Sequence, residues 1–236
     1  MHKLVGILWL LLSSTAVWAG DNPLEIMDRL RTQEGTVKVV TRIEVYEQGE
    51  QTRSSLLDVY VGTDRRSLAI YRSEREAGQK VLMLDDQFWL FMPSSKRAMR
   101  ITAMQKMLGE ASAGDVASLK WTDDYQVSEQ TQEGNELHLS LRAARKGLSY
   151  TRVELWQDAS TLHPLHADFY LRSGKLAKQA TFELAQQDND WRIVSMALQD
   201  RVQKDQKTII YYDTITPMDM PDKWFTPNYL LKSNVE

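Results

Sequence analysis

The residues most able to do chemistry in this chain gather in LHPLHADF, where His163, His166 and Asp168 are of types that ligate metals or exchange protons. Their spacing works against them as a set. On a strand His166 and Asp168 share a face, whereas His163, three positions earlier than His166, falls on the other. Leu165, Ala167, Phe169 and Leu171 alternate with them and mark the opposite face as the core side, which leaves His166 and Asp168 in solvent. His138, between Leu137 and Leu139, reads as another ordinary strand residue. The adjacent acids Asp85 and Asp86, and Asp123 and Asp124, have the makings of acid–base pairs, but Asp at strand ends bonds its own backbone and favours turns. In GEASAGD, Gly109 and Gly114 have the spacing of a phosphate-binding loop, yet Asp115 stands where that loop needs its lysine, and a carboxylate there repels phosphate. The sequence contains no GxSxG elbow, HExxH helix, GxGxxG turn or calcium loop. These patterns point to no catalytic centre, no metal site and no cofactor, so the chain reads as a binding protein and not an enzyme.

A binding surface is easier to find. The stretch 78–125 holds five of the chain's 10 methionines, Met83, Met92, Met99, Met104 and Met107, with Trp89, Phe91 and Leu108 among them. Flexible thioethers mould to irregular apolar shapes, so Trp89, Phe91, Met99, Met104, Met107 and Leu108 are candidates for the wall or lid of an acyl-chain cavity. The same methionines would also serve as gap-fillers in an ordinary core. Lys96, Arg97 and Arg100 border the apolar residues and form a candidate rim for lipid phosphates or an acidic partner; a solvated strand face is the alternative.

The elements that must hold these residues are mostly strands. Asp21 and Asn22 ahead of Pro23, followed by Leu24, Ile26, Met27 and Leu30, predict a capped amphipathic helix that runs to about Arg31 and stops by Gly35. Period-two alternation predicts a strand over 36–46, and further runs punctuated by Gly, Asp or Pro-Ser predict strands over 56–61, 67–72, 81–84, 88–92 and 97–101, with later candidates at 125–129, 137–142, 151–156, 165–172, 176–184, 191–202 and 208–213. Short connections such as QEGNE, RSGK and QDND favour antiparallel hairpins in a meander, and no crossover helix or internal repeat interrupts them. The expected fold is mainly β with a few helices, built on a large, strongly curved antiparallel sheet. One segment breaks the pattern: 102–108 favours helix, GEASAG is a flexible break, and Asp115 is placed to cap a short turn through 119. This is either a hinged lid over a cavity or a cover for the core. The tail after Thr216 carries 3 of the 6 prolines and predicts an irregular strap anchored by Trp224, Phe225 and Leu230.

Location follows from the other end. MHKLVGILWLLLSSTAVWAGD has the basic start, short apolar run and small residues of a secretory signal, with cleavage expected after Ala19. The apolar run is too short to span a bilayer. Residues 20–236 then form one domain. With Cys 0 there is no lipidation site, disulfide or thiolate ligand, so an exported, soluble, non-lipidated periplasmic protein is expected, held by its core alone. A formal net charge of −3 excludes nucleic acid as a natural partner.

In order along the chain, VLMLDDQFWLFMPSSKRAMRI, DVASLKWTDDY, YTRVELWQDASTLHPLHADFYLRSGKLAKQATFEL and KTIIYYDTITPMDMPDKWFTPNYL resemble the outer-membrane lipoprotein-sorting family related to the periplasmic carrier LolA. The resemblance covers nearly the whole chain after the signal. It implies an unclosed β-barrel of about eleven antiparallel strands, with helices plugging or covering the concave face, so that short runs between 81 and 101 would merge. It also implies a chaperone-like carrier that binds lipoprotein or lipid acyl chains in a hydrophobic cavity. Such a carrier takes its cargo from an inner-membrane exporter, ABC or other, and passes it to an outer-membrane acceptor, touching membranes transiently. The alternative is a non-transport sensor or interaction module of the same fold, docked on an envelope transporter or regulator. An enzyme of envelope lipids would need a convergent polar constellation that the sequence lacks.

Overall fold

The computed structural model describes residues 22–31, 35–117, 120–187, 189–200 and 205–232. The expected signal peptide, 1–19, lies outside them. The chain opens with helix α1 (Pro23–Arg31), whose Leu24, Ile26, Met27 and Leu30 are all buried. The Asn22 side chain accepts from the Leu24 amide at 3.0 Å, satisfying one of the open donors at the helix start.

Six strands follow: β1 (Val37–Glu47), β2 (Glu50–Val61), β3 (Arg66–Tyr71), β4 (Lys80–Leu84), β5 (Gln87–Met92) and β6 (Arg97–Ile101). A crossing segment then carries a small hairpin, β7 (Lys106–Leu108) and β8 (Ala111–Ser112), and two single-turn helices, α2 (Ala113–Val116) and α3 (Trp121–Asp124). Seven more strands complete the sheet: β9 (Tyr125–Glu133), β10 (Glu136–Ala143), β11 (Arg152–Asp158), β12 (Pro164–Tyr170), β13 (Leu176–Gln187), β14 (Asp190–Gln199) and β15 (Gln206–Pro217). A last helical turn is α4 (Pro227–Leu230).

Thirteen strands form one sheet in the order β6-β5-β4-β3-β2-β1-β15-β14-β13-β12-β11-β10-β9. Every neighbouring pair is antiparallel and consecutive in sequence except β1 and β15, which meet at the centre from opposite ends of the chain. The sheet therefore has two wings, each a meander, and two open edges, β6 and β9. It does not close into a barrel, as the family resemblance implied. The strand number differs from that implied: β4, β5 and β6 stay separate because Asp85 at φ 55° and Lys96 at φ 51° let tight reversals form between them.

Inner side chains from both wings, such as Leu57, Val59, Met83 and Phe88 on one and Leu139, Leu155, Phe169 and Ile193 on the other, join one continuous core with α1 and the crossing segment. The sheet wraps around that core. On the outer face of the β2–β5 wing a second core forms, in which Trp224, Phe225, Tyr229 and Leu230 of the tail pack on Tyr60, Leu68, Ile70, Leu82 and Phe91. The tail is the expected strap, lying on the sheet face opposite α1.

Candidate functional site: the plugged inner face

The sheet's inner face is the apolar surface that could receive a ligand, and the crossing segment fills it. The reading of 102–108 as helix is corrected here. The segment makes a hairpin whose Leu108 and Ala111 enter the core, and these tertiary contacts override a weak helical preference. Gly109 turns the hairpin tip at φ 53°, and a Cβ there would sit 2.3 Å from Thr208 Oγ1 and 2.8 Å from Val45 Cγ2. Only glycine lets the tip reach the sheet's centre so closely. The Glu110 amide then donates to Thr208 Oγ1 at 2.8 Å.

Ser112, not Asp115, caps α2, and the two form a reciprocal capping box in which the Ser112 amide donates to Asp115 Oδ2 at 2.8 Å. The same Asp115 Oδ2 meets Lys178 of β13, in an ion pair whose side chains are 4% and 6% exposed. Lys178 Nζ also donates to the Glu110 carbonyl at 3.3 Å. Arg31 donates to the Asp115 carbonyl at 3.1 Å, and Ser67 Oγ to the Ala117 carbonyl at 2.8 Å. The plug is thus tied to α1 and to both wings. Tyr125 and Tyr150 line its far side, where burial pushes their hydroxyls well above the ordinary phenol range and keeps both rings neutral.

Beyond the plug, Asp28 of α1 receives the Trp121 and Thr122 amides at 2.7 and 3.1 Å and so caps α3. The last residue of α3, Asp124, is fully buried between Arg65 at 2.7 Å and Arg145 at 3.1 Å. Both guanidiniums also reach Asp85, at 3.1 and 2.7 Å. Arg65 and Asp85 belong to turns of the β1–β6 wing and Arg145 to a loop of the other, so four charges clasp the wings together. Burial outweighs the arginines at Asp124 and raises its pKa, while at the exposed Asp85 the hydrogen bond from Arg145 and then Arg65 lower it. The sequence reading of Asp85–Asp86 as a turn holds, with Asp85 at φ 55°. Asp123 and Asp124 are instead helical, and Asp124 is the charge at the clasp's centre.

The predicted cavity residues separate. Leu108 is buried in the plug, and Met107 is half-buried against the same core. Met104 is 38% exposed and opens on a pocket of about 180 Å³ that Leu171, Leu176 and Lys178 also line. Met99, opposite Leu90 in the register, lies on the inner side at the sheet edge and is 44% exposed. Trp89 and Phe91 alternate with the inward Phe88 and Leu90 and point to the outer face, where they pack with the strap and not with the inner face. Lys96, Arg97 and Arg100 are exposed at the tip and edge of the β5–β6 hairpin. A cleft of about 1030 Å³ lies between α1, the β2–β3 turn and α3, and charged groups such as Glu25, Arg31, Arg65, Arg66 and Lys120 line it.

His166 and His138 stack on the two faces of Trp156, at 4.4 and 4.5 Å between ring centroids, and His163 sits 5.2 Å from Trp191. His138 Nε2 lies 2.9 Å from Glu154, and Asp168 accepts from Gln179 at 2.7 Å. The sequence reading missed Lys178, although the signal was there: a lysine in register with Ala180, Phe182 and Leu184 breaks an otherwise apolar face.

Among the described residues no helix is long and apolar enough to cross a membrane. No curated protein matches the chain. Residues 62–232 match a family model described as "-like: Uncharacterized protein". The structure is similar to that of a LolA superfamily protein from Nitrosomonas europaea, with a TM-score of 0.78 and 25% identity over 88% of this chain and 97% of that one. It shares its fold with a domain from Vibrio parahaemolyticus assigned to outer membrane lipoprotein sorting, at TM-score 0.67 and 20% identity over 89% and 97% of the two chains. A DUF1329 family protein from Desulfovibrio piger has the same fold, at TM-score 0.67 and 20% identity over 88% and 96%. By these matches the chain belongs to the family that this model describes, and its open antiparallel sheet has the fold of the LolA superfamily protein from Nitrosomonas europaea.

Proposed function

We propose that this protein is a non-catalytic periplasmic carrier, exported by removal of residues 1–19. It would shield acyl chains of lipoproteins or lipids on its inner face and pass them from an inner-membrane exporter to an outer-membrane acceptor. The observation that carries the reading is the plug: an apolar sheet face is covered by a segment anchored through polar bonds as well as packing. Lifting it exchanges protein–protein contacts for contacts with a lipid tail. A chain of about sixteen carbons gains on the order of 12 kcal/mol on leaving water, at ~0.8 kcal/mol per methylene, enough to offset several buried polar bonds. Met99, Met104, Met107 and Leu108 would meet the tail. Trp89 and Phe91 would stiffen the wall from behind, and Lys96, Arg97 and Arg100 would form the rim.

The test is lipid capture. Native mass spectrometry of protein purified from its own envelope is expected to show bound lipid, and the purified protein is expected to take up a fluorescent fatty acid. Met104→Glu, at an exposed position, should lower that uptake severalfold with the circular dichroism spectrum unchanged. The filled inner face favours a second reading, an interaction module with a permanently packed core. An empty protein, no uptake and an indifferent Met104→Glu would leave that reading in place of the carrier.

A further inference from the structure

Strand β6 ends the sheet, pairs only with β5, and among the described residues has no neighbour along its outer backbone edge. Lys38 and Arg72 pair with Asp58, Arg66 with Asp222, and Arg42 with Glu44 and Asp213. Lys96, Arg97 and Arg100 have no carboxylate within ion-pair distance among the described residues; Arg100 rests over the Trp89 ring at 4.7 Å and donates to Gln87 at 2.9 Å.

The register gives the edge a pattern. Arg97 and Met99 lie on the inner side, opposite Met92 and Leu90, while Ala98 and Arg100 lie on the outer side, opposite Phe91 and Trp89. Met92 and Met99 are 37% and 44% exposed, so the inner side of the hairpin has an open apolar spot beside Arg97, with Arg100 on the opposite face. We propose that β6 is a docking edge for an extended acidic segment of a partner protein, which adds as a further antiparallel strand. Its acids would face Arg100 and Arg97, three positions apart and on opposite faces, with an apolar side chain next to the first, opposite Met99. The recognised pattern is acid–apolar–any–acid. Backbone bonds supply affinity in such strand addition, and side chains supply choice.

Two other occupants fit less well. A lipid bilayer cannot satisfy the unpaired amides and carbonyls of an open edge. The sheet's other edge, β9, carries acids at Glu129 and Glu133, four apart and on one face, so the β9 strand of a second copy cannot meet both arginines. Cations on an edge also repel a second β6, which keeps the edge open for an acidic strand.

The proposal does not depend on the carrier reading, because strand addition at β6 is measured without lipid. The purified protein is mixed with a nine-residue peptide centred on Glu-Leu-Ala-Glu, with a control whose acids are four apart, and separately with phosphatidylglycerol vesicles. The expected result is binding of the first peptide, slower amide exchange at 97–101 and unchanged exchange at 125–133. Arg97→Glu with Arg100→Glu should weaken that peptide at least tenfold, and a Lys-Leu-Ala-Lys peptide should recover binding to the doubly reversed protein, which shows it folded. Equal binding of the control peptide, protection outside β6, no rescue by the lysine peptide, self-association through β9, or vesicle binding without peptide binding would each overturn the proposal.

Discussion

Lys178 is the side chain on which the plug's position turns. Its ion pair with Asp115 is nearly dry, so removing one partner strands a charge in the core. Lys178→Met should cost about 3–5 kcal/mol in urea unfolding, the usual penalty for breaking a buried pair. The double change Lys178→Met with Asp115→Asn should recover most of that, because both charges leave together. A single variant no worse than the double would show that the pair contributes little. Of this centre only a trace was legible in advance. The lysine's place in an apolar register could be read, but its partner sits in a small-residue segment with no periodicity, shaped by contacts with distant Thr208 and Lys178.

At the scale of elements the strands were legible and their facing was not. Each of the thirteen sheet strands overlaps a predicted one, although β2 begins at Glu50 and β9 runs to Glu133, beyond the expected 56–61 and 125–129, over polar residues that no apolar pattern marks. Phe88–Met92 is a run of five apolar residues without alternation, so nothing local says which side meets α1, and the plug cannot be told from a helix by composition. The strap supplies the answer by covering the outer side of β5. There Lys80, buried at 2% exposure, donates to the Leu230 carbonyl at 3.1 Å, capping the end of α4; burial first, and Arg72 after it, lower its pKa. Trp224→Ala is expected to cost about 3–5 kcal/mol in unfolding, the range for emptying an aromatic site in a core. Under conditions where the variant stays folded, its uptake of fatty acid should match the parent's, since the strap and the inner face lie on opposite sides of the sheet. Loss of uptake in a folded Trp224→Ala protein would place the ligand on the outer face.

For the whole molecule the clasp of Arg65, Asp85, Asp124 and Arg145 decides how firmly the wings are held. Asp85 has a lowered pKa in the folded protein, so its share of stability is complete above its unfolded value near ~3.9 and is lost as pH falls through the folded value. Its side chain is 63% exposed, so that share is small. Asp124 works in the opposite sense, because its raised pKa makes the protonated form the easier one to bury. Because the small loss at Asp85 and the gain at Asp124 oppose each other, spin labels at Asp86 and Lys146 are expected to keep their separation as pH drops through about 4, and parting before global unfolding would show that Asp85 outweighs Asp124. Arg145→Met should loosen the same distance at neutral pH at a cost on the order of 2 kcal/mol, less than for a sole partner because Arg65 remains. An unchanged distance in the Arg145→Met protein would mean that packing alone holds the wings.

The central seam has a consequence for the order in which this molecule can assemble. Val37 pairs with Pro217 and Glu47 with Gln206, so the middle of the sheet is stitched from the first and last strands, whereas each wing is zipped by neighbours in sequence. Closing so long a loop is slow compared with forming hairpins. In a chain threaded across a membrane from its N-terminus, the β1–β6 wing is complete while β15 has yet to arrive, and β1 waits with one flank of its backbone unsatisfied. The same newborn wing lacks its strap, so Leu68, Ile70 and Leu82 are bare during that interval. The half-made protein is the species most exposed to aggregation, and it depends on the speed with which β15 and the strap emerge.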